Sequence, residues 1–263
     1  MTAFLPEGGA GTICGGRLFA RTCAAEWARL WTVAATWWFL VAAAVVSTGI
    51  GLAAGSEAAA DPAEDLTAWD VAAVAVLPAH FALLALGLTS VTSDHATGGI
   101  VPTLQWTPRR AVLLAARTLV VGATITGLGV LLALAAALAA AAIGRPVLGV
   151  PAAEGGALLA TVAFVVAAGA GLAMGLGLLL RSTPGALVGV VLLDFVLPLF
   201  LGNAGFAWAR ALAELLPGSS AVFLLTGEPA TLTAASAVAV LLGWAGGALL
   251  LGGLRLVRDD ANR

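Results

Sequence analysis

Two ionisable residues stand inside long apolar runs. His80 lies about ten residues into the run 71–93, beside Pro78, and Asp194 sits near the middle of the run 186–201. A carboxylate in hydrocarbon costs roughly 2.5–3.5 kcal/mol on insertion scales, so such a group should face a cavity or a partner. The pair could line a path for a substrate, or relay protons. Alternatively, each could meet a local hydrogen-bond need between helices. Arg210 and Glu214 are one helical turn apart and are expected to form a surface pair of little worth.

Other chemistries are excluded by residue type. The chain has no lysine, so no GxxxxGK[ST] phosphate loop exists and ATP cannot be hydrolysed by that route. Neither HExxH nor GxSxG occurs. Cys14 and Cys23 have no nearby histidine and are expected to be ordinary side chains, neither a metal site nor a disulfide. No catalytic residue, bound cofactor or metal is therefore expected in this chain. Its net charge of -2 excludes a basic nucleic-acid surface.

A third group of polar residues is compact. Between the runs ending at Ser93 and starting at Ala111 lies an elbow, 94–110. It carries Asp94, His95, Thr97, Gly98, Gly99, Thr107, Pro108, Arg109 and Arg110. It is too short to be a domain and too particular in residue choice to be a plain turn. The elbow is therefore expected to be gripped by another protein. Arg109 and Arg110 can equally serve as a topology signal.

The elements that must position these groups follow from composition. Hydrophobic residues make up 61% of the chain and charged residues 10%. Soluble domains carry about a quarter charged residues. Six apolar runs are long enough to cross a bilayer, at about 33–54, 71–93, 111–143, 155–180, 186–201 and 231–254. The expected fold is an all-α integral membrane protein, one transmembrane domain over 1–263. A cleaved signal peptide is not expected, because more than thirty residues precede the first run. Residues 55–70 read as an acidic loop. In 169–175 the glycines of GAGLAMG are expected to serve close helix packing.

Arginine placement orients the spans. Ten arginines (17, 21, 29, 109, 110, 117, 181, 255, 258 and 263) share one side, and only Arg145 and Arg210 lie opposite. Basic residues in short loops stay in the cytoplasm, so both termini and the elbow are expected there, in a plasma membrane of bacterial type. Residues 16–31 are expected to form an amphipathic interfacial helix. On the helical wheel Arg17, Arg21, Glu26 and Arg29 fall on one half. Phe19, Cys23, Trp27, Leu30 and Trp31 fall on the other, and only Leu18 is misplaced. Such a helix suits the headgroup plane. Residues 206–216 are expected to form a short outer helix stopped by Pro217-Gly218, with 222–225 too short to cross.

The elbow resembles that of permease subunits of six-helix ABC exporters, often called type V. Those subunits carry a pattern near [ST]-[ST]-E-Y-x-x-G-T, then leucine, then P-R-R, then Ala-Lys. The matching residues here are Thr92-Ser93-Asp94-His95, Thr97-Gly98, Leu104, Pro108-Arg109-Arg110 and Ala116-Arg117. Asp94 replaces Glu, His95 replaces Tyr, Gly99 replaces Thr, and Arg117 replaces Lys. Glu26-Trp27-x-x-Leu30, Thr36-Trp37-Trp38 and Leu216-Pro217 also look like this family. The resemblance implies a coupling helix in the elbow that seats in a separate ATP-binding subunit, which would hold ATP and Mg. It further implies pairing with a second permease chain, identical or not, with the second and fifth spans facing a central path. Two rivals stay open: a proton-coupled carrier using His80 and Asp194, and a membrane scaffold that moves no cargo.

Overall fold

The computed structural model describes residues 15–61, 66–96 and 110–258. Nine helical segments account for nearly all of it. They are α1 (Gly15–Thr32), α2 (Ala34–Ala60), α3 (Ala68–Ala96), α4 (Arg110–Gly144), α5 (Ala152–Leu180), α6 (Thr183–Gly202), α7 (Ala207–Glu214), α8 (Pro217–Thr226) and α9 (Ala234–Arg258). Six of them, α2 to α6 and α9, are long and apolar enough to cross a membrane. No β-strand occurs among the described residues, only an isolated bridge between Thr67 and Gly149 that ties two loops together.

Small residues decide how these helices meet. A Cβ placed on Gly51 would lie 2.5 Å from the main-chain oxygen of Ala136, and one on Gly55 would lie 2.6 Å from that of Ala140. Ser47 donates to the Leu132 oxygen at 3.0 Å, one turn earlier on the same seam. Thus α2 and α4 run parallel with their backbones almost touching, as glycines spaced by four allow. The expected loop at 55–70 shrinks accordingly: α2 continues to Ala60, because Gly55 is a packing residue and not a turn.

At the centre, α5 is covered by α3, α4 and α9, as its glycines permit. A Cβ on Gly175 would meet the Ala248 carbonyl carbon at 2.4 Å, and one on Gly177 would meet Val91 at 2.6 Å. The packing role expected of these glycines is therefore what is observed. Trp69 of α3 seals one end: its ring lies over Gly155, and its indole N–H donates to the Pro151 oxygen at 3.0 Å. The segments α2 and α6 remain mostly exposed, with Trp38, Val45, Val188, Leu199 and Phe200 on their outer faces.

The expected outer helix is in fact two. Pro217 does not merely stop α7. It occupies the first turn of α8, where its missing N–H costs nothing. Pro217, Gly218, Ser220, Ala221 and Leu225 are buried, so α8 belongs to the bundle.

Candidate functional site

Two regions concentrate polar groups, one at each end of the bundle. At the end bearing α1, helix α3 finishes, α4 begins, and α5 and α9 finish. A helix end leaves its last carbonyls without intrahelical donors. Arginines meet that need. Arg29 donates to the Ser90 oxygen of α3, Arg255 to the Leu179 oxygen of α5, and Arg181 to the Arg255 oxygen at 3.3 Å. Arg110, the first residue of α4, donates to the Leu256 oxygen of α9 at 3.1 Å. The guanidinium expected to face a partner is thus turned at least partly inward. Arg181 itself closes α5 in the left-handed region, φ 53°, which makes the turn into α6 tight. Thr183 then hydrogen-bonds Thr92 at 2.7 Å, joining the start of α6 to the end of α3.

The strongest polar contact of this end joins α1 to α4. Arg117 donates from Nε and Nη2 to the two Glu26 oxygens at 2.9 and 2.8 Å. The two side chains are only 4% and 7% exposed. Glu26 was expected on the wet half of α1. The buried stripe of α1 is instead Thr22, Glu26 and Leu30, with Leu18 half-buried in line, one residue per turn. That register also absorbs Leu18, which a wheel split into basic and aromatic halves left misplaced. Trp27 is correspondingly half exposed. Its ring meets that of Trp31 edge-on at 5.4 Å, and Trp31 meets Trp37 at 5.4 Å. Arg17 and Arg21 are exposed. Arg117 is a third ionisable residue within an apolar run, beside His80 and Asp194.

Of the elbow residues, Asp94 and His95 stand in the last turn of α3, and their side chains lie outside the described residues. Thr97, Gly98, Thr107, Pro108 and Arg109 also lie outside them, and so does the expected coupling helix.

Toward the other end, α6 is interrupted. Residues Leu192–Val196 form a π turn, in which Leu197 N–H reaches the Leu192 oxygen. Pro198 explains the interruption. It has no N–H to give the carbonyl four residues back, which is that of Asp194, and its ring crowds that carbonyl. The freed turn receives α8: a Cβ on Gly218 would fall 1.9 Å from the Asp194 oxygen, so only glycine fits.

Two adjoining cavities meet at this point and share Asp194, Phe195, Gly218 and Val222. One, of about 440 Å³, extends past Asn203, Arg210, Glu214 and Thr231. The other, of about 450 Å³, extends past Leu77, Phe81, Val191 and His80. The structure therefore brings His80 and Asp194 to one cavity. Neither fills a local hydrogen-bond need: His80 Nδ1 and Asp194 Oδ2 are buried and have no partner among the described residues, and Ser220 Oγ shares that condition. His80 is held by contact instead, since its ring leaves no room for a Cβ on Gly169, which would lie 2.5 Å from Cε1. Phe81 and Phe195 meet edge-on at 5.5 Å across the same space. Arg210 and Glu214 line the outer cavity, but no ion pair joins them, contrary to expectation.

Sequence reasoning found His80 and Asp194 but missed the Glu26–Arg117 pair. The signal was present, as a carboxylate in register with Leu18, Thr22 and Leu30 and an arginine seven residues inside an apolar run. No protein-family model matches this chain, and no curated protein sequence matches it.

Proposed function

We propose that this chain is the membrane-spanning permease subunit of an ATP-driven exporter of the six-helix ABC kind. A separate ATP-binding subunit would seize the elbow 94–110, and a second permease chain would complete the path. Orientation follows the arginines: both termini and the elbow in the cytoplasm, α7 and α8 on the outer side of a bacterial plasma membrane. In this orientation α1 lies along the inner headgroup plane, with Arg17 and Arg21 toward phosphate and Trp27 toward the acyl boundary.

The observation that carries the proposal is the buried Glu26–Arg117 pair. A permease driven from outside the membrane needs a stiff link between the driven elbow and the spans. Helix α4 starts at the elbow's last residue, Arg110, and runs unbroken for 35 residues, roughly 52 Å at 1.5 Å per residue. Arg117, about 10 Å along it, locks α1 to it, and Arg110 locks it to α9. A push on the elbow would then move α1, α4 and α9 as one piece.

Pull-down of the detergent-solubilised chain from its native cells, followed by mass spectrometry, tests the proposal. The wild type should recover a P-loop ATPase, and Arg109→Glu should lose it while the protein stays monodisperse. Recovery of no ATPase with a well-folded wild type would refute the permease assignment. The proton-coupled carrier would then take precedence, because His80 and Asp194 share a cavity and each keeps a polar atom without a partner among the described residues. Transport that survives ATP depletion but not collapse of the proton gradient would identify it.

A further inference from the structure

We propose that the paired cavity at Asp194 binds a lipophilic organic cation, an ammonium group on an apolar body, with the Asp194 carboxylate as its counter-charge. This names the cargo class of the permease proposed above, and rests on that assignment only in calling the ligand cargo.

Several observations converge. Asp194 Oδ2 is buried without a hydrogen-bond partner among the described residues, on a turn that Pro198 and Gly218 hold open. A lone carboxylate at this depth calls for a positive partner. None is supplied among the described residues: Arg210 lines the outer cavity but makes no ion pair with Asp194, and it is exposed, one turn from Glu214 on α7. The titratable lining of both cavities among the described residues is thus two carboxylates and His80 against one guanidinium.

The remaining walls are mostly apolar, with Asn203, Ser219 and Thr231 as uncharged polar groups of the outer cavity. Phe81 and Phe195 form an aromatic corner at 5.5 Å, of a kind that attracts cations to ring faces. Each cavity, at about 440 and 450 Å³, lies in the range of small-molecule sites. Finally, His80 lines the same wall, and its buried Nδ1 is a second polar atom without a partner among the described residues. A neutral acyl chain would suit the walls and leave Asp194 bare. A cationic amphiphile satisfies both.

The test is fluorescence anisotropy of rhodamine 6G on the purified full chain in a neutral detergent, with the uncharged dye Nile red as comparison. Wild type should bind rhodamine 6G saturably. Asp194→Asn, nearly isosteric, should weaken it at least ten-fold, and Asp194→Glu should recover most of the loss. Nile red should not distinguish the variants. No saturable rhodamine 6G binding to a monodisperse wild type would overturn the proposal, and so would equal binding by Asp194→Asn. A change in oligomeric mass in Asp194→Asn with unaltered dye binding would also overturn it, by assigning the carboxylate to an interface between copies. The partner ATPase plays no part in this measurement. Failure here with an ATPase recovered above removes only the cation site. Success here without an ATPase removes only the permease assignment.

Discussion

The Glu26–Arg117 pair offers the sharpest perturbation, because it is bidentate, nearly dry and joins α1 to the longest helix. Removing one member strands the other charge in a site with little water. Breaking buried pairs in this way costs roughly 3–5 kcal/mol. At about 1.4 kcal/mol per ten-fold, the population with α1 undocked from α4 should rise between about a hundred-fold and a few thousand-fold. Thiol trapping reads that population. With Cys14→Ser and Cys23→Ser, a single Thr22→Cys places a thiol on the buried stripe of α1, where a maleimide reaches it only after undocking. Glu26→Leu or Arg117→Met alone should accelerate labelling by that factor. The double change Glu26→Leu with Arg117→Met should return it to within about ten-fold of the parent, since an apolar pair of similar volume can replace a buried ion pair at small cost. If Arg117→Met labels at the parental rate, the pair does not hold α1, and the stiff link inferred from it fails. If the double change is as fast as the two single effects added together, the two residues act independently and the same conclusion holds.

Four further outcomes are expected. Gly51→Ala should lower the midpoint of thermal unfolding in detergent, because its Cβ would sit 2.5 Å from the Ala136 oxygen; Gly49→Ala, with nothing within 4 Å, should leave it unchanged or raise it. Overpacking of this kind costs about 1–3 kcal/mol, against a helix-propensity gain of about 1 kcal/mol at an open site. Gly218→Ala should be worse than either, since α8 cannot approach the Asp194 oxygen with a Cβ in place, and limited proteolysis between α8 and α9 should accelerate. Thr183→Val should cost about 0.6 kcal/mol, the average for hydrogen bonds between membrane helices, and about 1.7 at most, by removing the donor to the Thr92 hydroxyl, which keeps its own bond to the Leu88 oxygen; unfolding midpoints of the single and double Val variants would show it. Gly169→Ala should displace the His80 ring and change rhodamine 6G affinity without changing oligomeric mass, and equal affinity would mean that the ring is not part of the cavity wall.

How much of this was legible depended on whether a feature announces itself along the chain or only across it. Six long apolar runs are one-dimensional facts, and all six appear as helices. Their ends were less legible. Gly55 looks like a turn residue in isolation and becomes a packing residue only when Ala140 is placed against it. Pro217 looks like a stop and is a start, because proline is suited to both sides of a helix boundary. The register of α1 was hidden for a related reason. A wheel divided by charge puts Glu26 with the arginines, and nothing local says that a cation seven residues into another helix will pull it inward. Asp194 and His80 were visible because ionisable groups are rare in hydrocarbon. Their shared cavity was not, since it depends on Pro198 loosening α6 and on Gly218 admitting α8.

The two ends of the bundle are built by opposite rules, and this bears on what the molecule can do. At the α1 end, Arg29, Arg110, Arg181 and Arg255 each donate to a main-chain oxygen of another helix or turn, and Arg117 is matched to Glu26; the Trp31 indole N–H is the exception, buried without a partner among the described residues. Sequence alone reads these arginines as topology signals; geometry adds that they stitch α3, α4, α5 and α9 together where the elbow leaves the bundle. At the other end, Asp194 and His80 line open volume, and each keeps a buried polar atom without a partner among the described residues. Fully matched polar groups rigidify, while unmatched ones favour whatever brings the missing partner. A protein that only braced a membrane complex would gain nothing from leaving a carboxylate bare at depth. One that receives force at the stitched end and exchanges a bound cation at the other would need both.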